Sequence, residues 1–340
     1  MKKVYEQTGI YIAPSADILN LAMNENHNIS WKELYEKNMG KLVDQFNFSA
    51  YGQANFDMLT AAYGKHIGMD KNQIIVFPGS ESAIGLLFSA LVEKKVLLMT
   101  PDFFRFEEVA TQQGLTIFKQ DLLPAYDYTK TIALVEEQGI ELGIFSTPNN
   151  PLGTKITSSD IIELLEKTNC YWVIDEAYIE FSGDSVLTLI AQYDKLFIMR
   201  TLSKAWGLAA LRVGFVISQP ENITYLTRAV GPYNHSRFIA TMAVEALGSP
   251  HIMNDALTEI TRLRKIWQEK LTCKYAFKML ISQTNFFYIQ TSDAPKLQTF
   301  FHEKGIAIAL VGPSALRITI GTEVEMQHVE KTFDAYYELK

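Results

Sequence analysis

The sequence predicts an α/β protein: a large domain with a mostly parallel sheet between helices, followed by a small α+β domain. Three observations predict it. From Ile74 to Met199, short apolar runs alternate with stretches of helical periodicity. After a long helical stretch at Ile252–Thr272, the pattern becomes short strands with separate helices. The polar residues that fit no core lie just beyond the apolar runs, where ligands gather in α/β sheets.

In chain order, Met1–Asn28 is irregular and ends in L-A-M-N-E-N-H, whose Asn24, Glu25 and Asn26 read as turn formers. Ser30–Met39 predicts a helix capped by Ser30. Phe46–Gly52 breaks the pattern, and a second helix runs Phe56–Ile67, closed by Gly68. Ile74–Phe77 is a buried strand. It stops at P-G-S-E-S, where Gly79 turns the chain and Ser80 caps a helix; free N–H groups at such a helix start suit an anion. Lys95–Met99 is the next strand and ends in P-D-F-F-R-F. Phe103, Phe104 and Phe106 suit a core, although one of them follows the strand's carboxyl end. A strand at Leu115–Lys119, a helix at Tyr128–Glu137 and a strand at Leu142–Ser146 follow. The last ends in T-P-N-N-P-L-G-T, a stiff polar loop carrying Asn150. The helix Ser159–Lys167 leads to the strand Tyr171–Ile174 and D-E-A-Y-I-E-F. A carboxylate at the end of a buried strand is costly alone, so Asp175 is expected to have a permanent cationic partner, with Tyr178 aimed at the same place. A magnesium site or a structural ion pair are the alternatives, and no G-K-[ST] loop accompanies the first.

The chain is organised around R-T-L-S-K-A-W-G-L-A-A-L-R-V-G-F, Arg200–Phe215. Lys204 sits between hydroxyl and small residues, where a lysine can lose solvation and act as a neutral amine toward an aldehyde. Thr201, Ser203 and Arg212 offer hydroxyls and a charged fork for a phosphate. Gln219–Leu247 is helical but broken at G-P-Y-N-H-S. Strands at Phe277–Ile281 and Asn285–Gln290, a helix at Ala294–Lys304 and strands at Ile306–Leu310 and Ala315–Gly321 build the second domain. Thr322 and Glu325 form a capping box for the last helix. Arg317 in the middle of an apolar strand calls for an anion, such as a substrate carboxylate.

Composition narrows the class of function. The 340 residues are 48% hydrophobic and carry a net charge of −7 without a long basic run, which excludes nucleic acid or an anionic membrane as the main partner. Cys170 and Cys273 form no C-x-x-C, so a reduced compartment is expected. Lys2-Lys3 is followed by polar residues rather than a signal-peptide core, which makes the cytoplasm the expected location. No G-x-G-x-x-G follows a strand, which argues against a nicotinamide cofactor. An embedded lysine, a strand-end carboxylate, a phenol, an asparagine, an aromatic, an anion nest and two arginines are together what pyridoxal 5′-phosphate uses.

S-T-P-N-N-P-L-G, V-I-D-E-A-Y-I-E-F, the Lys204 stretch, P-Y-N-H-S and L-R-I-T-I-G appear in family order. With them the chain resembles the fold-type I, class I and II aminotransferases, most of all their histidinol-phosphate aminotransferase branch. The resemblance implies a seven-stranded sheet in a large cofactor-binding domain at 29–246. Residues 1–28 and 247–340 would form the small domain. It implies that Lys204 holds pyridoxal phosphate as a Schiff base and shuttles a proton, and that Asp175 pairs the ring nitrogen. Tyr178 and Asn150 would hold the ring oxygen, and Phe103 would stack on the ring. Ser80, Glu81, Thr201, Ser203 and Arg212 would take the phosphate. Tyr51 would reach the neighbouring site of a homodimer, and Arg317, with Asn150 and Asn24, would bind substrate, glutamate being the usual donor.

The departures bear on substrate. His27 stands where the branch usually has the proline of N-E-N-P, and Gly52 follows Tyr51 where proline is usual. Ala309 stands where an arginine for the substrate phosphate is usual. Losing one charge-assisted contact costs about 1.5–3 kcal/mol, roughly ten- to a hundredfold in binding. An imidazole- or aromatic-type substrate is expected. An aromatic amino acid aminotransferase and a threonine-phosphate decarboxylase-like enzyme are the alternatives, and a non-catalytic regulator is a third class.

Overall fold

The computed structural model describes residues 17–51, 53–231 and 234–338. Residues 1–16, Gly52, Pro232–Tyr233 of the P-Y-N-H-S motif and the last two residues lie outside that set. The elements run β1 (Leu19–Asn20), α1 (Lys32–Gln45), α2 (Gln53–Ile67), β2 (Ile74–Pro78), α3 (Glu81–Leu91), β3 (Lys95–Thr100), α4 (Phe104–Gln113), β4 (Thr116–Asp121), α5 (Tyr128–Gln138), β5 (Leu142–Ser146), α6 (Ser158–Lys167), β6 (Tyr171–Asp175), β7 (Leu196–Thr201) and β8 (Val213–Ile217). Then come α7 (Pro220–Ala229), α8 (Arg237–Leu247), α9 (Pro250–Tyr275), β9 (Lys278–Met279), β10 (Phe286–Gln290), α10 (Ala294–Glu303), β11 (Ile306–Ala307), β12 (Ala309–Val311), β13 (Ala315–Thr319) and α11 (Glu323–Glu338).

The seven-stranded sheet has the order β2-β8-β7-β6-β5-β3-β4. All its strands run parallel except β8, which is antiparallel to both β2 and β7. Both faces are buried, as such sheets require. Val76, Met99, Phe145, Ile174 and Ile198 pack on one face, and Phe77, Leu98, Ile144, Val173 and Phe197 on the other. That is why these strands read as continuous apolar runs rather than alternating ones. The four-stranded antiparallel sheet β12-β13-β10-β9 packs Phe287, Ile289, Leu316 and Ile318 against α9, α10 and α11. β1 pairs in parallel with β11, Leu19 opposite Ile306.

Three local expectations are corrected. Ser30 does not cap α1 from the N-cap position. Trp31 holds that position, buried, its ring stacked on Trp206 with centroids 6.1 Å apart and its Nε1 donating to the Trp206 carbonyl at 2.6 Å. Tertiary packing of an indole thus overrides a hydroxyl cap. Ser80 precedes α3 but its side chain caps nothing. The run Ile306–Leu310 is two strands in two sheets, because β11 serves β1 while β12 serves β13. The Thr322–Glu325 capping box forms as expected, Thr322 N donating to Glu325 Oε2 at 2.7 Å and Glu325 N to Thr322 Oγ1 at 3.4 Å.

Candidate active site

The parallel strands place their carboxyl ends together, so the oddities of the sequence converge on one edge of the sheet. Asp175 ends β6 and is buried. Burial pushes its carboxyl up to about 7, with the Ala177 N–H bond at 3.0 Å acting against the rise, Glu176 adding to it and Lys204 opposing it. Among the described residues no protein side chain forms an ion pair with Asp175. The cation acting on it is Lys204, through space.

Lys204 follows β7 in the tight L-S-K-A turn. Its Nζ donates to the Met23 carbonyl at 2.9 Å and lies 5.8 Å from the centre of the Tyr178 ring. Burial lowers its amine to about 8, helped by Arg317 and Arg212 and opposed by Glu25 and Asp175. Tyr178 is buried, and its Oη accepts from Asn24 Nδ2 at 2.8 Å. The N-E-N segment is therefore more than a turn. Asn24 is buried at φ 54°, its N–H bonded to Thr319 Oγ1 at 3.0 Å, and Asn26 Nδ2 donates to the Ala205 carbonyl at 2.8 Å. This segment threads between Lys204, Tyr178 and β13.

Arg317 on β13 donates to Asn150 Oδ1 and to the Ala22 carbonyl, and its buried Nε has no partner among the described residues. Its guanidinium lies 5.6 Å from the Phe286 ring, which meets Tyr178 edge-on at 5.2 Å. Ala309 is the cross-strand partner of Arg317 on β12, and Tyr288 is its partner on β10. Directly opposed residues share a face of an antiparallel pair, so Ala309, Arg317 and Tyr288 form one row.

The anion nest is built by two glycines. Gly79 has φ +80°, and a Cβ there would run into the Arg212 guanidinium. Gly214 on β8 lies against the Ser80 backbone with no room for a Cβ. Arg212 itself is left-handed at φ 53°, which turns its side chain back over the Gly79 turn. Thr201 Oγ1 donates to Ser203 Oγ at 3.0 Å, and both residues are buried beside this turn. The Glu81 carboxylate takes Arg105 Nε at 2.8 Å, which leaves its backbone rather than its side chain to face an anion. Of the three phenylalanines, Phe106 is core, Phe104 is exposed and Phe103 is partly buried at the end of β3. Tyr51 lies apart from this cluster on the surface, 81% exposed.

Three features were missed in the sequence. Asp102 is partly buried just beyond β3, and desolvation raises its carboxyl to about 8 against its bonds from Ser146 and Phe103. The signal was present in P-D-F: a carboxylate at a strand end, the same pattern as Asp175. His27 Nδ1 meets Glu325 Oε1 at 3.0 Å, and Arg200 pairs with buried Glu176.

The pattern of the aminotransferase class I and II family matches residues 16–333, and the chain belongs to that family of pyridoxal-phosphate-dependent transaminases. It is similar to the histidinol-phosphate aminotransferase of Clostridium novyi (strain NT), with 30% identity over 312 residues, 89% of this chain and 87% of that protein. Its fold matches the crystal structure of the histidinol-phosphate aminotransferase from Clostridium acetobutylicum, at TM-score 0.87 and 22% identity over 95% of this chain and 100% of that one. The L-threonine-O-3-phosphate decarboxylase from Porphyromonas gingivalis also shares the fold, at TM-score 0.76 and 20% identity over 94% and 100% of the two chains. The residues fit pyridoxal phosphate. An amine lowered to about 8 is available to an aldehyde, a glycine cradle beside Arg212 excludes side chains, and Arg317 keeps a buried donor unsatisfied.

Proposed function

We propose that this aminotransferase moves an amino group between glutamate and an imidazole- or aromatic-type substrate, in the manner of a histidinol-phosphate aminotransferase. The observation that carries the reading is the placement of Asp175 at the end of β6 and of Lys204 just past the adjacent parallel β7, the amine lowered and the carboxyl raised. When bound, the cofactor supplies an aldehyde for amines and a ring that takes up the electron pair left at the substrate Cα. Lys204 Nζ would hold the aldehyde and would carry the proton from the substrate Cα to the cofactor's C4′. Asp175 keeps a proton on the ring nitrogen. Tyr178 Oη and Asn150 orient the ring oxygen, and Phe103 covers the ring. The Ser80 and Glu81 N–H groups, Thr201, Ser203 and Arg212 bind the phosphate. Arg317 takes the substrate carboxylate, with Asn24 and Asn150 fixing the wall beside it. Residues 29–246 serve as the cofactor-holding unit, with 1–28 and 247–340 as the smaller unit. The working form is a homodimer in the cytoplasm, in which Tyr51 reaches the neighbouring site.

One observation favours a second reading, an aromatic amino acid as substrate. The residues that flank Arg317 in its row are Ala309 and Tyr288, neither of them a cation, and Phe286 lies beneath the guanidinium. Apart from Arg317, which would take the carboxylate, that row holds no cation for a substrate phosphate, whereas Tyr288 is aromatic. The test of the shared chemistry is chemical trapping. Borohydride reduction of the loaded protein followed by peptide mapping is expected to mark Lys204 alone. Labelling of another lysine, with Lys204 unmodified, contradicts the assignment.

A further inference from the structure

Asp102 is a partly buried carboxyl group that the scheme above leaves without a task. It sits one residue before Phe103, at the end of β3. Each of its contacts is as an acceptor: Phe103 N at 2.7 Å and the Ser146 hydroxyl on Oδ1, and Ser146 N at 2.9 Å on Oδ2. Three donors on two oxygens favour the ionised form and work against the desolvation that raises the group to about 8. Among the described residues no cation pairs with it. The field it feels is instead that of Asp175.

The two carboxylates are joined through one residue. Ser146 is the register partner of Asp175 across β5 and β6, and Thr147 N donates to the Asp175 carbonyl at 2.9 Å. The Ser146 hydroxyl also accepts from Asn150 N at 3.1 Å and from Asn149 Nδ2 at 3.3 Å. Asn149 Nδ2 in turn reaches the Pro101 carbonyl at 3.2 Å. Asp102 thereby ties together the backbone of the stacking residue, the asparagine loop and the strand beside Asp175.

We propose that Asp102 is a positioning residue for the cofactor ring: it braces Phe103 against the Asn150 loop and adds a second negative charge behind Asp175 that favours a protonated ring nitrogen. The inference rests on the pyridoxal phosphate reading above. Asp102 and Asp175 repel each other when both are ionised, and a cationic ring at this site would relieve that repulsion and favour the ionised form of each. A carboxylate with no cation of its own is costly in a core unless something in the working protein offsets it.

The experiment uses the whole protein and pyridoxal phosphate labelled with 15N at the ring nitrogen. Wild type, Asp102→Asn, Asp102→Thr and Ser146→Ala are compared by equilibrium titration of cofactor and by the 15N shift of the bound ring. In wild type the shift is expected to be that of a protonated ring nitrogen. The two Asp102 variants are expected to bind the cofactor roughly tenfold more weakly, the scale of one lost charge contact. They are also expected to move the 15N shift toward the neutral ring. Ser146→Ala keeps the carboxyl group while removing one donor to it, and is expected to move the shift less than either Asp102 variant. An unchanged shift in both Asp102 variants overturns the proposal, even if their thermal stability falls, because bracing alone does not change the protonation of the ring. An equal displacement in Ser146→Ala overturns it too. Failure of wild type to bind the cofactor at all would instead remove the function proposed above, and this inference with it.

Discussion

Arg200 and Glu176 form a buried ion pair that clamps the ends of β7 and β6. Arg200 Nη2 and Nε reach the same Glu176 oxygen at 2.7 and 2.9 Å, and Nη2 also donates to Ser185 Oγ at 2.7 Å. Arg200 immediately precedes Thr201, and Glu176 immediately follows Asp175. The pair therefore fixes the spacing of two site residues without touching a ligand. Glu176→Ala leaves the guanidinium buried without that partner and is expected to cost about 3–5 kcal/mol of stability. Urea denaturation measures it; a loss under about 1 kcal/mol, the level of a surface pair, would contradict the clamp.

Gly79→Ala is expected to weaken cofactor binding while leaving the fold intact. At φ +80° a side chain is strained by about 1–2 kcal/mol, and its Cβ would displace the Arg212 guanidinium. Equilibrium dialysis with pyridoxal phosphate reads the effect, and roughly tenfold weaker binding is expected. Binding equal to wild type would mean that Arg212 and the Gly79 turn do not form the phosphate nest.

The His27–Glu325 contact ties the N-E-N-H segment to α11, and its contribution depends on pH. The hydrogen bond to Glu325 raises His27 above 6.5, and the same bond, with the Thr322 N–H, holds Glu325 below 4.5 against its burial. A raised histidine stabilises fully below its unfolded value, and this is lost as pH rises through the folded one. A depressed carboxylate stabilises above its unfolded value, and this is lost as pH falls. The contact is thus strongest between about pH 4.5 and 6.5. His27→Ala is expected to lower the melting temperature more at pH 6 than at pH 9. An equal loss at both would show that packing, not charge, holds the segment.

Cofactor uptake is expected to speed up with pH and to level off above about 8, because the neutral Lys204 amine is the reacting form and burial lowers it to that value. Stopped-flow absorbance on mixing with pyridoxal phosphate gives the profile. A rate that keeps rising toward pH 10.5, the ordinary lysine value, would contradict the lowered amine.

The layout of the large sheet was legible because each parallel strand is buried on both faces and reads as an apolar run, Leu142–Ser146 being a case matched end to end. β8 was not read as a strand, since it is embedded in the Lys204 stretch and runs against its neighbours. Buried polar groups were legible where chemistry conflicts with location, as at Lys204, Asp175 and Arg317. The arrangement was illegible where the meaning lies in a distant partner. Nothing local to His27 points 298 positions away to Glu325, and nothing in N-E-N shows that Asn24 meets Tyr178 across 154 positions. Ala309 is a special case. Its place in the sequence raised the substrate question, and the register opposite Arg317 gives that question a location.

The central claim, that the chain transfers amino groups through a lysine-held cofactor, is tested most directly by the half-reaction. Loaded protein is mixed separately with glutamate, histidinol phosphate, tyrosine and phenylalanine while cofactor absorbance is followed. Conversion of the aldehyde form to the amine form by glutamate, and by histidinol phosphate or an aromatic amino acid, is the expected result. Which of the latter two reacts decides between the substrate readings. Absence of conversion by all four compounds with the cofactor bound, or release of carbon dioxide in its place, would contradict the account.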